Sequence, residues 1–217
     1  LLGQVYDAFG LDRPTFVSIP IVPQAVVEPT YGISDLVTIE IDDNTAADWG
    51  KGGHYDFVVP GVDSVDAVPA NLIGSFDYAF DKENMFIRVD FEADVVRSDS
   101  FDLYLDIPNS QREYGLSDGG TVLGFQATHR LSWSGSEPRI VNGPIVHSVL
   151  DEDESVSAVA GFDGRAIEFA LPIESLPAIE AGDRISFRLI ETDRDADLLS
   201  LPLAGPGYIQ VPDIDNV

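Results

Sequence analysis

Apolar and polar residues alternate with a period of two through long stretches of this chain, and that period most limits how it can fold. Successive side chains of a strand point to opposite faces, so alternation marks a strand with one face buried, where a helix would repeat every 3.6 residues. Val37, Ile39 and Ile41 alternate with Thr38 and Glu40. Phe76, Tyr78 and Phe80 alternate with Asp77 and Ala79, and the turn Asp81-Lys82-Glu83-Asn84 leads into Phe86-Ile87-Arg88-Val89-Asp90-Phe91. These two runs predict a hairpin. Phe101 to Ile107 alternates again and ends at Pro108-Asn109-Ser110. Residues 121–134 predict one or two strands, residues 145–150, 155–160, 166–171 and 185–190 one each, and residues 173–176 a short helical turn. Turn signals recur about every 8–12 residues, the spacing of sandwiches and barrels. No long amphipathic pattern follows residue 12. The predicted fold is all-β: an antiparallel β-sandwich, jelly-roll-like, with a short N-terminal helix.

That helix is read from Leu1, Leu2, Val5 and Phe9 at helical spacing, with Gly10 as its stop. Pro14, Pro20, Pro23 and Pro29 then forbid a continuous helix. The predicted organisation is a helical end with a proline-rich linker or edge segment over residues 1–34, and a sandwich domain over residues 35–217. The chain opens on Leu1 inside the helical pattern, as expected of a fragment, a processed product, or numbering from the first ordered residue. The run Asp151-Glu152-Asp153-Glu154 reads as a solvated turn.

Charge narrows the partners. The 38 acidic and 12 basic residues leave a formal charge of -26, which repels phosphate backbones and anionic lipid alike. Nucleic acid and membrane are therefore excluded as expected partners, while cations and neutral polar ligands remain. Lys51 and Lys82 are the only lysines, and such an acidic, lysine-poor composition suits either plain solubility or a salt-adapted host. With no cysteine, disulfides, iron–sulfur clusters and thiolate zinc sites are excluded. No apolar run reaches the ~20 residues a bilayer requires.

Catalytic motifs are missing. His54, His129 and His147 do not stand at metal-ligand spacing or in a nucleophile motif, and no glycine-rich loop opens a helix. Carboxylates are too abundant for any pair to signal glycosidase chemistry. Two loops could gather oxygen donors for a hard cation such as structural calcium: Asp42-Asp43-Asn44 with Asp48, and Asp193, Asp195 and Asp197. Solvated turns are the plainer reading of both.

Two stretches carry a family likeness. The first is the hairpin within residues 71–91 followed by Phe101-Asp102-Leu103-Tyr104-Leu105-Asp106. The second joins Glu168-Phe169-Ala170-Leu171-Pro172-Ile173-Glu174-Ser175-Leu176, Gly182-Asp183-Arg184-Ile185-Ser186-Phe187-Arg188 and Asp193-Arg194-Asp195. Together they resemble carbohydrate-binding module family 9 and the wider sandwich group that includes DOMON-type domains. The head of the chain, with Ile19-Pro20-Ile21, Glu28-Pro29-Thr30 and then Asp48-Trp49-Gly50, resembles the exit from the helical region of amylopullulanase-like enzymes of glycoside hydrolase family 57. The resemblance implies a non-catalytic accessory domain that binds α-glucan or another polysaccharide, or braces the catalytic domain of the same polypeptide. It implies work outside the cell or in its envelope. No catalytic residue carries over, because the hydrolase barrel has no counterpart in this chain.

A sugar's apolar C–H face packs on an aromatic ring while polar groups take its hydroxyls. Trp133, Tyr114, Tyr55 and Trp49 are the aromatic candidates; core packing is the favoured reading of Trp49 and is as good as a binding platform for Trp133. Two alternatives stand beside the carbohydrate reading. One is a purely structural or protein-interaction module. The other is a DOMON-like haem-binding electron-transfer domain, for which Met85 and Lys82 are the available ligands; three residues apart across a hairpin turn, they are poorly placed to bracket one iron.

Overall fold

The computed structural model describes residues 25–41, 46–57, 73–92, 100–109, 114–134, 141–147, 155–162, 165–176, 178–193 and 196–214. The predicted N-terminal helix, the acidic run 151–154 and the candidate ligands Asp42, Asp43, Asn44 and Asp195 lie outside them. The strands, in chain order, are β1 (Gly53–Asp56), β2 (Ile73–Phe80), β3 (Asn84–Phe91), β4 (Ser100–Asp106), β5 (Tyr114–Leu116), β6 (Val122–Ala127), β7 (His129–Ser134), β8 (Val141–His147), β9 (Ser155–Phe162), β10 (Ala166–Pro172), β11 (Arg184–Asp193), β12 (Ala196–Leu201) and β13 (Gly207–Gln210). One hydrogen-bonded path runs β1-β2-β3-β10-β9-β8-β7-β4-β11-β12, with β13 also on β11, and β5 pairs with β6 alone. Every pairing is antiparallel.

The path folds over on itself into a sandwich. Phe76 of β2 stacks on Phe187 of β11 with ring centroids 4.2 Å apart, although these strands stand near opposite ends of the path. Alternate residues of β2, β3, β10, β4 and β11 fill the space between the layers, among them Tyr78, Phe80, Ile87, Phe169, Leu103, Leu105 and Leu189. The two ends of the path meet at Tyr55. Its hydroxyl donates to the Tyr208 carbonyl at 2.7 Å and accepts the Tyr208 N–H at 2.9 Å, which ties β1 to β13. Tyr55 is only 2% exposed, so it belongs to the core and offers no ring to a ligand.

The hairpin β2–β3 forms where the alternation predicts it. Its turn is set by Asp81, whose Oδ1 accepts the N–H groups of Glu83 and Asn84 at 2.8 and 2.7 Å. Short helical geometry occupies Ile173–Ser175. Of the predicted strand 145–150, residues 145–147 belong to β8, which begins earlier, at Val141, and residues 148–150 lie outside the described residues. Residues 36–41 differ more: they form no strand. Instead the segment lies on the outer face of β2, β3 and β10, where Ile39 packs with Trp49, Ala79, Phe86 and Ala170, and Val37 and Ile41 pack alongside. Its alternation serves to cover a sheet, not to extend one. Residues 25–33 also contact the sandwich: Val27 and Ile33 pack on the main core, and Tyr31 bridges to His54.

Candidate functional site

The sandwich has two outer faces, and they differ in what they leave open. On the first, the register places His54, Asp77, Arg88 and Glu168 side by side across β1, β2, β3 and β10. His54 Nδ1 lies 2.7 Å from Asp77 Oδ1, and Arg88 Nη1 donates to Glu168 Oε1 at 2.7 Å. The Arg88 guanidinium also grips Asp90 with two bonds of 2.8 and 2.6 Å. Burial pushes the Asp77 carboxyl above the ordinary carboxylate value, and the His54 bond opposes part of that rise. For Arg88, burial works against the charge, but the bonds and charge of Asp90 with the charge of Glu168 outweigh it and raise its pKa.

Over Arg88 and Glu168 this first face is closed. Trp49, 2% exposed, lies over it and donates its indole N–H to Glu168 Oε1 at 3.1 Å. Buried charges persist only where they are paired and hydrogen-bonded, and this row meets that condition within the chain. Trp49 therefore braces the covering segment and presents no platform to a ligand. Asp48 beside it is exposed, on the 3-10 turn Ala46–Lys51.

The second outer face belongs to β7, β4 and β11, and part of it is open. Arg130, Tyr104 and Arg188 form one cross-strand row; Ser132, Asp102 and Ile190 form the next. The β5–β6 hairpin covers the β11 side, burying Tyr104, Leu123, Ala127 and Ile190 together. Arg188 is locked under it, with Nε donating to the Leu123 carbonyl at 3.2 Å and Nη1 to that of Pro202. Burial lowers the Arg188 pKa.

Past the edge of the hairpin lie Asp102, Arg130 and Ser132, and Asp118 reaches them from the hairpin turn. Ser132, exposed, donates to Asp102 Oδ1 at 2.5 Å. Burial raises the Asp102 pKa, with the Ser132 bond and the Arg130 charge pulling the other way. Arg130 Nη1 donates to Asp118 Oδ2, and the Tyr104 hydroxyl lies beside its guanidinium. These partners overcome the burial that disfavours its charge, so the Arg130 pKa rises.

Asp118 is held in place by the turn that carries it. Its N–H donates to the Tyr104 hydroxyl at 3.1 Å. Asp197 of β12 accepts from the Ser117 hydroxyl and from the Thr121 N–H, the latter at 3.1 Å. Gly120 takes φ +92°, and a Cβ at Gly119 would come within 2.7 Å of the Asp197 backbone nitrogen, so the turn needs both glycines. The face thus sets a carboxylate acceptor, a guanidinium donor and a serine hydroxyl next to each other. That is a set suited to binding hydroxyl groups.

The aromatic candidates Trp133 and Tyr114 stand on the elements that frame this face. Trp133 follows Ser132 in β7 and pairs with Phe101, and Tyr114 pairs with Ala127 in the hairpin. Their side chains lie outside the described residues. Of the second metal loop, Asp197 staples the turn, and Asp193 closes β11 opposite Ala196. Among the described residues no group of three or more His, Asp or Glu side chains is placed to hold a metal ion. Met85 is fully buried in the main core and Lys82 is exposed on the β2–β3 turn, so the two do not converge. Asp102, Tyr104, Arg130 and Ser132 were not foreseen as site residues. Alternation in β4 and β7 puts them on outward positions, but only the pairing of these strands brings them together.

No protein-family model and no curated protein matches the chain. Among solved structures it is similar to a carbohydrate binding module family 9 (CBM9) from Caldicellulosiruptor kristjanssonii in complex with cellotriose, at 13% identity and a TM-score of 0.38, over 89% of this chain and 97% of that one. It is likewise similar to a CBM9 from the same organism in complex with glucose, at 14% identity and a TM-score of 0.36, over 89% and 99%.

Proposed function

We propose that this chain is a non-catalytic carbohydrate-binding domain and that it binds glycan on the open face of β4 and β7. The observation that carries the proposal is the grouping of Asp102, Arg130 and Ser132 at the edge of the β5–β6 hairpin. A pyranose offers neighbouring hydroxyls that both donate and accept. Asp102 accepts from one, Arg130 donates to another, and Ser132 does either. Among the described residues the His54-to-Glu168 row of the other outer face is less suited to a ligand, because its polar groups are engaged by one another and by Trp49.

The finer reading follows the resemblance of the head segment and the late Glu168-to-Asp195 pattern. The domain is an accessory of an α-glucan-acting hydrolase, placed outside the cell or in its envelope. Its role there is to hold the enzyme on polysaccharide.

Affinity electrophoresis through gels carrying soluble starch, or a soluble cellulose derivative, tests both levels. The expected result is retardation by starch that Arg130→Ala weakens about tenfold, the order expected for one charge-assisted hydrogen bond. Trp133→Ala in the same gels reports whether that residue adds a stacking contact. Retardation by the cellulose derivative alone would keep the binding domain and discard the α-glucan assignment. A chain retarded by neither, with Arg130→Ala migrating identically, would overturn the proposal.

A further inference from the structure

The Arg130 guanidinium is already engaged. Asp118 reaches it from a turn that Asp197, Gly119 and Gly120 hold in one shape, and the Asp118 side chain itself is 76% exposed. An exposed carboxylate on a rigid turn, aimed at the one cation among the described residues on the open part of the face, does little for folding. It does set which ligands the cation can accept.

We propose that Asp118 is the specificity-determining residue of this face, masking Arg130 so that neutral glycans bind and acidic ones are rejected; this rests on the carbohydrate reading above. Charge around the site argues the same way. Asp102, Asp118 and Asp197 all surround Arg130 or its supporting turn, and the charges of Asp118 and Asp197 both act on Asp102. Arg188 does not offset them for a ligand, being 4% exposed and turned to the Leu123 and Pro202 carbonyls. A ligand carboxylate entering here meets like charge and competes with Asp118 for the same guanidinium donors. A neutral hydroxyl does neither: it donates to Asp118 or Asp102 and accepts from the Arg130 donors left over. The mask is thus part of the neutral-sugar site and an obstacle only to anions.

The test uses gluco-oligosaccharides and the same chains oxidised to the carboxylate at C6, titrated into the wild-type chain and into Asp118→Asn. The substitution keeps the backbone N–H that Tyr104 accepts, and the thermal midpoint of each variant is read alongside. The wild type is expected to bind the neutral chains and to bind the oxidised ones at least about tenfold more weakly. Asp118→Asn is expected to gain about tenfold for the oxidised chains, and the double variant Asp118→Asn, Arg130→Met to lose that gain.

The proposal falls if the wild type binds both kinds equally, or if Asp118→Asn leaves the preference unchanged. If the wild type binds no neutral chain while Asp118→Asn binds oxidised ones through Arg130, the mask stands and the neutral-glycan reading fails. If no variant binds either, both fall.

Discussion

Asp102 shows how much one side chain can carry when burial and solvent meet on it. Its carboxyl accepts from Ser132 on one side and feels the Arg130 charge, yet burial dominates and raises its pKa. For folding, the sign follows from the two pKa values. The unfolded chain titrates Asp102 at the ordinary carboxylate value, and the folded chain titrates it higher, so between them the folded state holds more protons. The stability Asp102 contributes is therefore full below the unfolded value and is lost as pH rises through the folded one. Thermal midpoints measured across that window should fall with pH in the wild type relative to Asp102→Asn, which has no proton to lose. Two parallel curves would show that the residue is ordinary. Binding runs the opposite way. A sugar hydroxyl donates more strongly to the ionised carboxylate than to the neutral acid, so the acid limb of saccharide binding should lie above the range of a solvated aspartate. That Asp102 faces outward is legible between Phe101 and Leu103. That it meets Ser132 and Arg130 is not, because those residues arrive from β7 through a register that nothing local encodes.

At the scale of elements, the most exacting arrangement is the row from His54 to Glu168. Each strand contributes one ionisable residue at a position that alternation marks as outward, and outward usually means solvated. Here the face is roofed by Val37, Ile39, Ile41 and Trp49, so outward positions are interior ones. The alternation of Val37, Ile39 and Ile41 was legible, but it cannot say whether such a run pairs in a sheet or lies across one. That choice depends on the apolar patch of Ala79, Phe86 and Ala170 on strands distant in sequence. The row predicts a steep penalty for breaking it at its centre. Arg88→Met removes the only guanidinium between Glu168 and Asp90 and leaves Glu168 buried beside Trp49. A buried pair with one partner removed costs about 3–5 kcal/mol. Urea unfolding should show that loss in the midpoint. A midpoint within about 1 kcal/mol of wild type would mean that the row is solvated and contributes little.

The whole molecule is governed by a charge of -26 spread over a sandwich whose apolar interior is continuous from Tyr55 to Leu189. Like charges at this density repel one another in the compact state more than in the expanded one, so folding works against them. Within the described ion pairs the few cations are committed: Lys51 to Asp35, Arg88 to Asp90 and Glu168, Arg130 to Asp118. They neutralise their neighbours and leave the surplus intact. Salt should relieve that surplus by shortening the reach of each charge, from about 10 Å at 0.1 M to about 3 Å at 1 M. Raising sodium chloride over this range should lift the thermal midpoint by about 5 °C, equivalent to roughly 2 kcal/mol in a domain of this size. The shape of the rise identifies its cause. Screening acts as the Debye length shrinks, so most of the gain should come by about 0.5 M and then level off. Strengthened burial of apolar surface grows with salt without levelling, and it is stronger for sulfate than for chloride. A midpoint that climbs linearly to molar salt, or follows sulfate rather than ionic strength, would assign the stabilisation to the core and not to the acidic surface. The same screening bears on the open face. It should weaken the exclusion of oxidised glycans while leaving the binding of neutral ones unchanged, because only the former meet Asp118 and Asp102 as charges.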